Sequence, residues 1–179
     1  NHQERAALIE TILKDQAQQQ NADAGDQTEL IEHVNFLVEH PIGILGQFDT
    51  SYLKLPESVI TTVMSSHQKY FHLVSNQSQK LLPAFVAIGN NTEANAQDII
   101  RSGNEKVLRA RLEDAAFFFT EDRKKPLADF VPNLEGITFQ KGLGSLLDKT
   151  NRLEALVEVL SSKVLNWDAE ATEKAKRAA

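Results

Sequence analysis

The sequence contains no cysteine, one methionine, one tryptophan and two tyrosines. Without cysteine there is neither a disulfide framework nor a thiolate metal site, and a reducing compartment is compatible. Long apolar runs are missing too. Nothing approaches the roughly 18 apolar residues that read as a bilayer-crossing helix, and no signal-peptide pattern opens the chain. The expectation is a cytoplasmic protein without membrane contact. Positive charge is scarce at first: residues 1–100 hold 5 Lys/Arg against 12 Asp/Glu, whereas residues 101–163 hold 11 against 10. A net charge of −6 argues against wholesale coating by nucleic acid. DNA is therefore not an expected partner, and any polyanion contact belongs to the second half.

What is present is ordinary for a globular chain: 179 residues, 41% hydrophobic and 25% charged. That length buries a sizeable core without metals or crosslinks. The chain begins with Asn1 and stops in the helix-favouring DAEATEKAKRAA, with no Gly or Pro stop signal. It reads as a piece of a longer protein.

Hydrophobic spacing predicts a helix over 3–20, from Ala6, Leu8, Ile9, Ile12 and Leu13, and then a polar loop. A second helix is expected over 27–40, capped by Asp26 with Glu29 at the capping-box position and ended by Pro41. PIGILGQFD (41–49) reads as a strand. PESVITTVMSSHQKY (56–70) reads as a helix opened by Pro56, with Val59, Ile60, Val63, Met64 and His67 on one face. YFHLV (70–74) and LLPAFVAIG (81–89) read as a hairpin, with Pro83 at an edge or a strand entry. From Asn91 helices dominate: a short one over 92–101, an interruption at Gly103, and another capped by Asn104. A punctuated connection fills 126–144. A last helix follows, capped by Ser145 and striped by Leu146, Leu147, Leu153, Leu156, Val157 and Leu160. The fold class is α+β: N-terminal helices, a small antiparallel or mixed sheet, then C-terminal helices. Three segments are expected: helices over 1–40, an α+β core over 41–125, and a helical segment over 126–179.

Within GNEKVLRARLEDAAFFFTEDRKK (103–125), a helical wheel puts Leu108, Arg111, Leu112, Ala115, Phe118 and Phe119 on one face. Arg109 has Glu105 and Glu113 at i,i+4 spacing, each pair contributing about 0.2–0.5 kcal/mol. Arg111 on an apolar face is either a structural tie to an acid such as Asp114, which is the preferred reading, or a group reaching an anionic ligand. The phenylalanines read as core. His67, near Tyr70, is either a binding or acid/base group or, as preferred, a half-buried histidine bonded to backbone. No zinc pattern appears; His33 and His40 have no third ligand in sight. KGLGS (141–145) lacks the spacing of a phosphate loop and reads as a turn and cap. The helix dipole alone explains RKK (123–125), with phosphate contact the sharper option. The residues by themselves show no active site.

As an ordered set, four blocks carry a resemblance: FDTSYLKLPESVITTVMSSHQKYFHL, LLPAFVAIGN, GNEKVLRARLEDAAFFFTEDRKKPL and ITFQKGLGSLLDKTNRLEAL. From about Glu39 to Leu160 the chain resembles the β subunit of the heterotetrameric α2β2 bacterial glycyl-tRNA synthetase. Matching motif positions include His67, Gln68, Lys69, Tyr70, Asn104, Asp114 and Asp148. The resemblance implies a mixed module similar to the editing region of phenylalanyl-tRNA synthetase β chains. An HD-like helical domain is expected to follow it. Glycine adenylation, with its ATP and magnesium, is expected on the α subunit, so this chain should hold no cofactor and no catalytic residue. Glycine tRNA and the α subunit become the expected partners. Arg109, Arg111, Arg123, Lys124, Lys141, Lys149 and Arg152 are then the candidate tRNA contacts. A subunit-interaction module without RNA contact is the alternative. An editing hydrolase near His67 is the least favoured reading. The cations of the second half are expected to be mostly neutralised by nearby acids, making the chain a rigid support.

Overall fold

Alternating apolar residues build one antiparallel sheet from β1 (Ala22–Asp23), β2 (Pro41–Gln47), β3 (Phe71–Ser75) and β4 (Leu81–Asn90), in the order β1-β3-β4-β2. Each central strand presents one apolar set per face, so the sheet needs a cover on both sides. On one face, α1 (His2–Gln19) and α2 (Thr28–Asn35) pack Ile9, Leu13, Ala17 and Val34 against Phe71, Leu73 and Val86. On the other, α3 (Glu57–Thr62), a wide π-helical turn (Val63–Gln68) and α4 (Gln97–Asp122) pack Ile60, Met64, Leu108 and Leu112 against Ile44, Tyr70 and Phe85. Fully burying each such side chain is worth about 1.5–3 kcal/mol. Gly46 lies opposite Phe85, whose ring covers it so closely that a Cβ there would collide with the ring. The computed structural model describes residues 1–90 and 96–179, arranged as two compact units, Asn1–Asp122 and Arg123–Ala179.

The α+β expectation holds, and the sheet is antiparallel throughout. Several details differ. The second helix stops at Asn35, not at 40. Asn35 is buried and tied to α1: Arg5 Nε donates to its Oδ1 (2.9 Å), and its Nδ2 donates to the His2 carbonyl (2.9 Å). The N–H groups of Glu39 and His40 then donate to Asn90 Oδ1, turning the chain into β2. Asp26 accepts from the N–H of Thr28 (3.2 Å) and its hydroxyl (2.8 Å), but Glu29 completes no capping box. Pro83 sits inside the sheet, because β4 is a central strand. It is accommodated at a β3–β4 register shift and opposite the very end of β2, where Phe48 N donates to its carbonyl (3.1 Å). The missing N–H thus forfeits only a terminal ladder bond.

The expected break at Gly103 is absent: α4 runs through it, and Asn104 is mid-helix rather than a cap. One internal glycine costs roughly 1 kcal/mol against alanine, which the burial of Leu108 and Leu112 outweighs. The expected helix over 92–101 falls partly on residues outside those described.

In the second unit, a helical segment (Leu127–Gly136) and a hairpin of β5 (Thr138–Gln140) and β6 (Gly144–Ser145) replace the expected plain connection. Ser145 caps α5 (Leu146–Val159) as expected, and Asp148 completes a capping box: Asp148 N donates to Ser145 Oγ (3.1 Å) and Ser145 N to Asp148 Oδ2 (2.8 Å). The Ser145 N–H, and the Ser145 hydroxyl that also donates to Asp148 Oδ2 (3.0 Å), hold the Asp148 carboxyl below its ordinary pKa. A second wide turn (Leu160–Val164) leads to α6 (Ala169–Ala178), capped by Asp168. Only Ser161 and Thr172 of this unit are buried. The expected leucine stripe of α5 is therefore not a closed core. No helix among the described residues is long and apolar enough to cross a membrane.

Candidate functional site

The π-turn at the end of α3 shapes the first candidate site. An i→i+5 turn is wider than an α-turn and shifts every later residue around the axis. The chain leaves it through Lys69 in the left-handed region (φ 59°), and Tyr70 N donates to the Met64 carbonyl (2.9 Å). His67 is consequently exposed and not half-buried on the apolar face, and among the described residues neither a metal site nor a backbone bond to it forms there. Lys69 Nζ donates back to the Ser66 carbonyl (3.1 Å). Tyr70 is buried, its ring stacked on Phe85 at 4.6 Å, and burial raises its phenol pKa.

The turn brings Gln68, Lys69 and Tyr70 together with Asn104 of α4 around a cleft of about 280 Å³, walled by Val38, Ile88 and Ile100. Four of the sequence-matched positions thus share one place, while His67, Asp114 and Asp148 lie elsewhere. Its chemistry is that of an apolar slot with an amide and ammonium rim. Among the described residues it holds no carboxylate or imidazole to act as general acid or base. Among the described residues no group of three His, Cys, Asp or Glu side chains could hold a metal ion.

The second candidate is the outward side of α4. Leu108 and Leu112 face the sheet, but Arg111, which the helical wheel placed beside them, is exposed and has no ion pair or hydrogen bond among the described residues. It is not a buried tie to Asp114, which is itself exposed. The two helices over one sheet face leave room for a narrower buried stripe than the wheel assumed. For the same reason Phe117 and Phe118 are not core: they are 59% and 61% exposed, touching each other edge to face, whereas Phe119 is half-buried. Arg109 also lacks the neutralisation its spacing predicted. Glu105 instead accepts from Gln47 N at 2.9 Å, and Glu113 accepts from the Tyr52 hydroxyl at 3.4 Å. Both acids anchor α4 through these bonds, a use that local spacing could not reveal. The exposed strip Val107, Arg111, Asp114 and Phe118 mixes charge with apolar surface.

Of the other expected contacts, Arg123 and Lys124 are exposed and each is engaged by a neighbouring group. Lys141 is exposed with no partner among the described residues. Lys149 places its ammonium 4.8 Å from the centre of the Phe139 ring. Arg152 donates to the Leu143 carbonyl (2.9 Å). None of Arg109, Arg111, Lys141, Lys149 or Arg152 forms an ion pair among the described residues, which falls short of the expected neutralisation, although Arg152 lies close enough to Asp148 for its charge to favour that carboxylate. Ion pairs do form at Arg101–Asp98 (2.8 Å), Lys174–Glu170 (2.7 Å) and Lys176–Glu173 (3.2 Å). One functional-looking group escaped the sequence reading altogether. His72 Nδ1 is buried with no hydrogen-bond partner among the described residues, and desolvation lowers its pKa, with Glu57 opposing.

Comparison with known proteins is consistent along the whole length. A family model described as glycyl-tRNA synthetase beta subunit matches residues 1–179. The glycine–tRNA ligase beta subunit of Desulforapulum autotrophicum is 44% identical over 176 residues, covering 98% of this chain and 25% of that protein. That of Moorella thermoacetica is 46% identical over 152 residues, covering 85% and 22%. That of Levilactobacillus brevis is 42% identical over 162 residues, covering 90% and 23%. The chain spans about a quarter of the length of the curated relatives it matches. With matched blocks on both compact units, the chain belongs to the glycyl-tRNA synthetase beta subunit family.

Proposed function

We propose that this chain is a support and tRNA-facing module of a glycine–tRNA ligase β subunit, and that it carries no complete active site. Activation of glycine with ATP and magnesium falls to the α subunit in this reading. The observation that carries it is the exposure of Arg109 and Arg111 on α4 without an ion pair among the described residues, the two acids spaced for Arg109 bonding instead to Gln47 and Tyr52. Exposed guanidinium groups beside aromatic side chains suit the phosphates and unstacked bases of a folded RNA.

The test is the double variant Arg109→Glu/Arg111→Glu in the intact α2β2 enzyme. The KM for tRNA should rise on the order of tenfold and its salt dependence should flatten, while glycine-dependent pyrophosphate exchange stays unchanged. An unaltered KM would remove the RNA-facing reading.

A second reading, contact with the α subunit without RNA, is favoured by Phe117 and Phe118, since exposed aromatic clusters of this kind mark protein interfaces. Replacing both by serine should then weaken tetramer assembly at unchanged tRNA affinity.

A further inference from the structure

The free edge of β2 is a slot for an added strand. The sheet order leaves β2 outermost beside β4. Its register against β4 is regular from Pro41↔Asn90 to Gln47↔Ala84. Phe48 N donates inward to Pro83, whereas Gln47 N donates outward to Glu105. Antiparallel pairs alternate, so Ile42, Ile44 and Gly46 bond to β4, and Pro41, Gly43, Leu45 and Gln47 direct their backbone groups away from the sheet. Pro41 has no N–H, and Glu105 occupies that of Gln47. This leaves the N–H and C=O groups of Gly43 and Leu45 as an unpaired ladder among the described residues.

That ladder opens into a space of about 520 Å³, between Gln16 and Gln19 of α1 on one side and Gln97, Asp98 and Arg101 of α4 on the other. Edges of this length are ordinarily blunted by charge, bulge or cover. Here both ends are closed and, among the described residues, the middle is not. Gly43 also keeps the floor low: a Cβ would run into Ile12 of α1.

We infer that an extended segment from elsewhere in the same β-subunit polypeptide adds to β2 at Gly43 and Leu45, antiparallel or parallel, with polar side chains alternating between the glutamines of α1 and the Asp98–Arg101 pair of α4. About three quarters of the relatives' length lies outside the matched region. A tethered segment has a large advantage in effective concentration over a free partner. Strand addition supplies affinity through main-chain bonds and specificity through alternate side chains.

Amide hydrogen exchange at residue resolution, on the full-length β subunit without α, tests this. The N–H groups of Gly43 and Leu45 should exchange on the order of a hundredfold more slowly than unprotected amides, independently of protein concentration. Leu45→Pro removes an outward N–H and no ladder bond, so it should release the Gly43 protection while leaving Ile44 protected. Fast exchange of Gly43 and Leu45 in the β subunit alone overturns the inference. So does protection that appears only with α, which assigns the slot to that subunit, or protection that grows with concentration, which assigns it to a second copy. Should Leu45→Pro fail to fold, the wild-type exchange pattern decides alone.

Discussion

The two compact units solve burial in opposite ways. Asn1–Asp122 covers both faces of its sheet and buries Phe71, Phe85, Ile9, Ile60, Met64, Leu108 and Leu112 almost completely. Arg123–Ala179 buries no large apolar side chain, and leaves Leu127 86%, Leu156 58% and Val164 63% exposed. Its helices are held by caps, a hairpin and ion pairs at Lys176. Local signals are thus enough to define secondary structure, while a self-sufficient core needs facing layers. Apolar surface on that scale is the mark of a face made to be covered.

The contrast can be broken most sharply at the core. Phe85→Ala in the 179-residue chain should cost about 3–5 kcal/mol, read from the chemical-denaturation midpoint, whereas Leu156→Ala should stay within about 0.5 kcal/mol. The same Leu156→Ala in a full-length β subunit sharpens the comparison: a cost above about 2 kcal/mol there means that the face is covered. Next comes Asn35→Ala, which strips the buried tie between α1 and α2 and should cost about 1–3 kcal/mol, seen as earlier melting. Ser145→Ala removes the α5 cap and should cost about 1 kcal/mol, read as lost helicity of the second unit. The smallest effect follows pH. His72 has its pKa lowered by burial, so its contribution is fully present above the unfolded value of about 6.5 and is lost as pH falls through the folded value. Denaturation midpoints should fall on acidification below that point, and His72→Leu should flatten the slope.

Elements with their own periodicity were legible in the sequence: α1, the β3–β4 hairpin and the Ser145 cap match their patterns. What failed were inferences about neighbours. The wheel for α4 placed Arg111 with the leucines, but how wide a stripe is buried depends on what else lies over the sheet. Glu105 and Glu113 sit at ideal spacing for Arg109, yet tertiary partners at Gln47 and Tyr52 claim them. His67 was displaced by a π-turn, which leaves no mark in apolar spacing. Gly103 was read as a break because propensity is a weak prior, overridden by packing at Leu108 and Leu112. The two-residue β1 and the β5–β6 hairpin are too short to show alternation. For the candidate site, the clustering of Gln68, Lys69, Tyr70 and Asn104 joins residues more than thirty positions apart in sequence, beyond the reach of any local pattern.

The aromatic ring of Phe85 and the bare backbone of Gly46 occupy one shared volume. Bulk can therefore sit at only one of the two positions at a time. Gly46→Ala alone should be worse tolerated than the same change paired with Phe85→Leu, a compensating exchange that makes these facing sites inherit change jointly rather than singly.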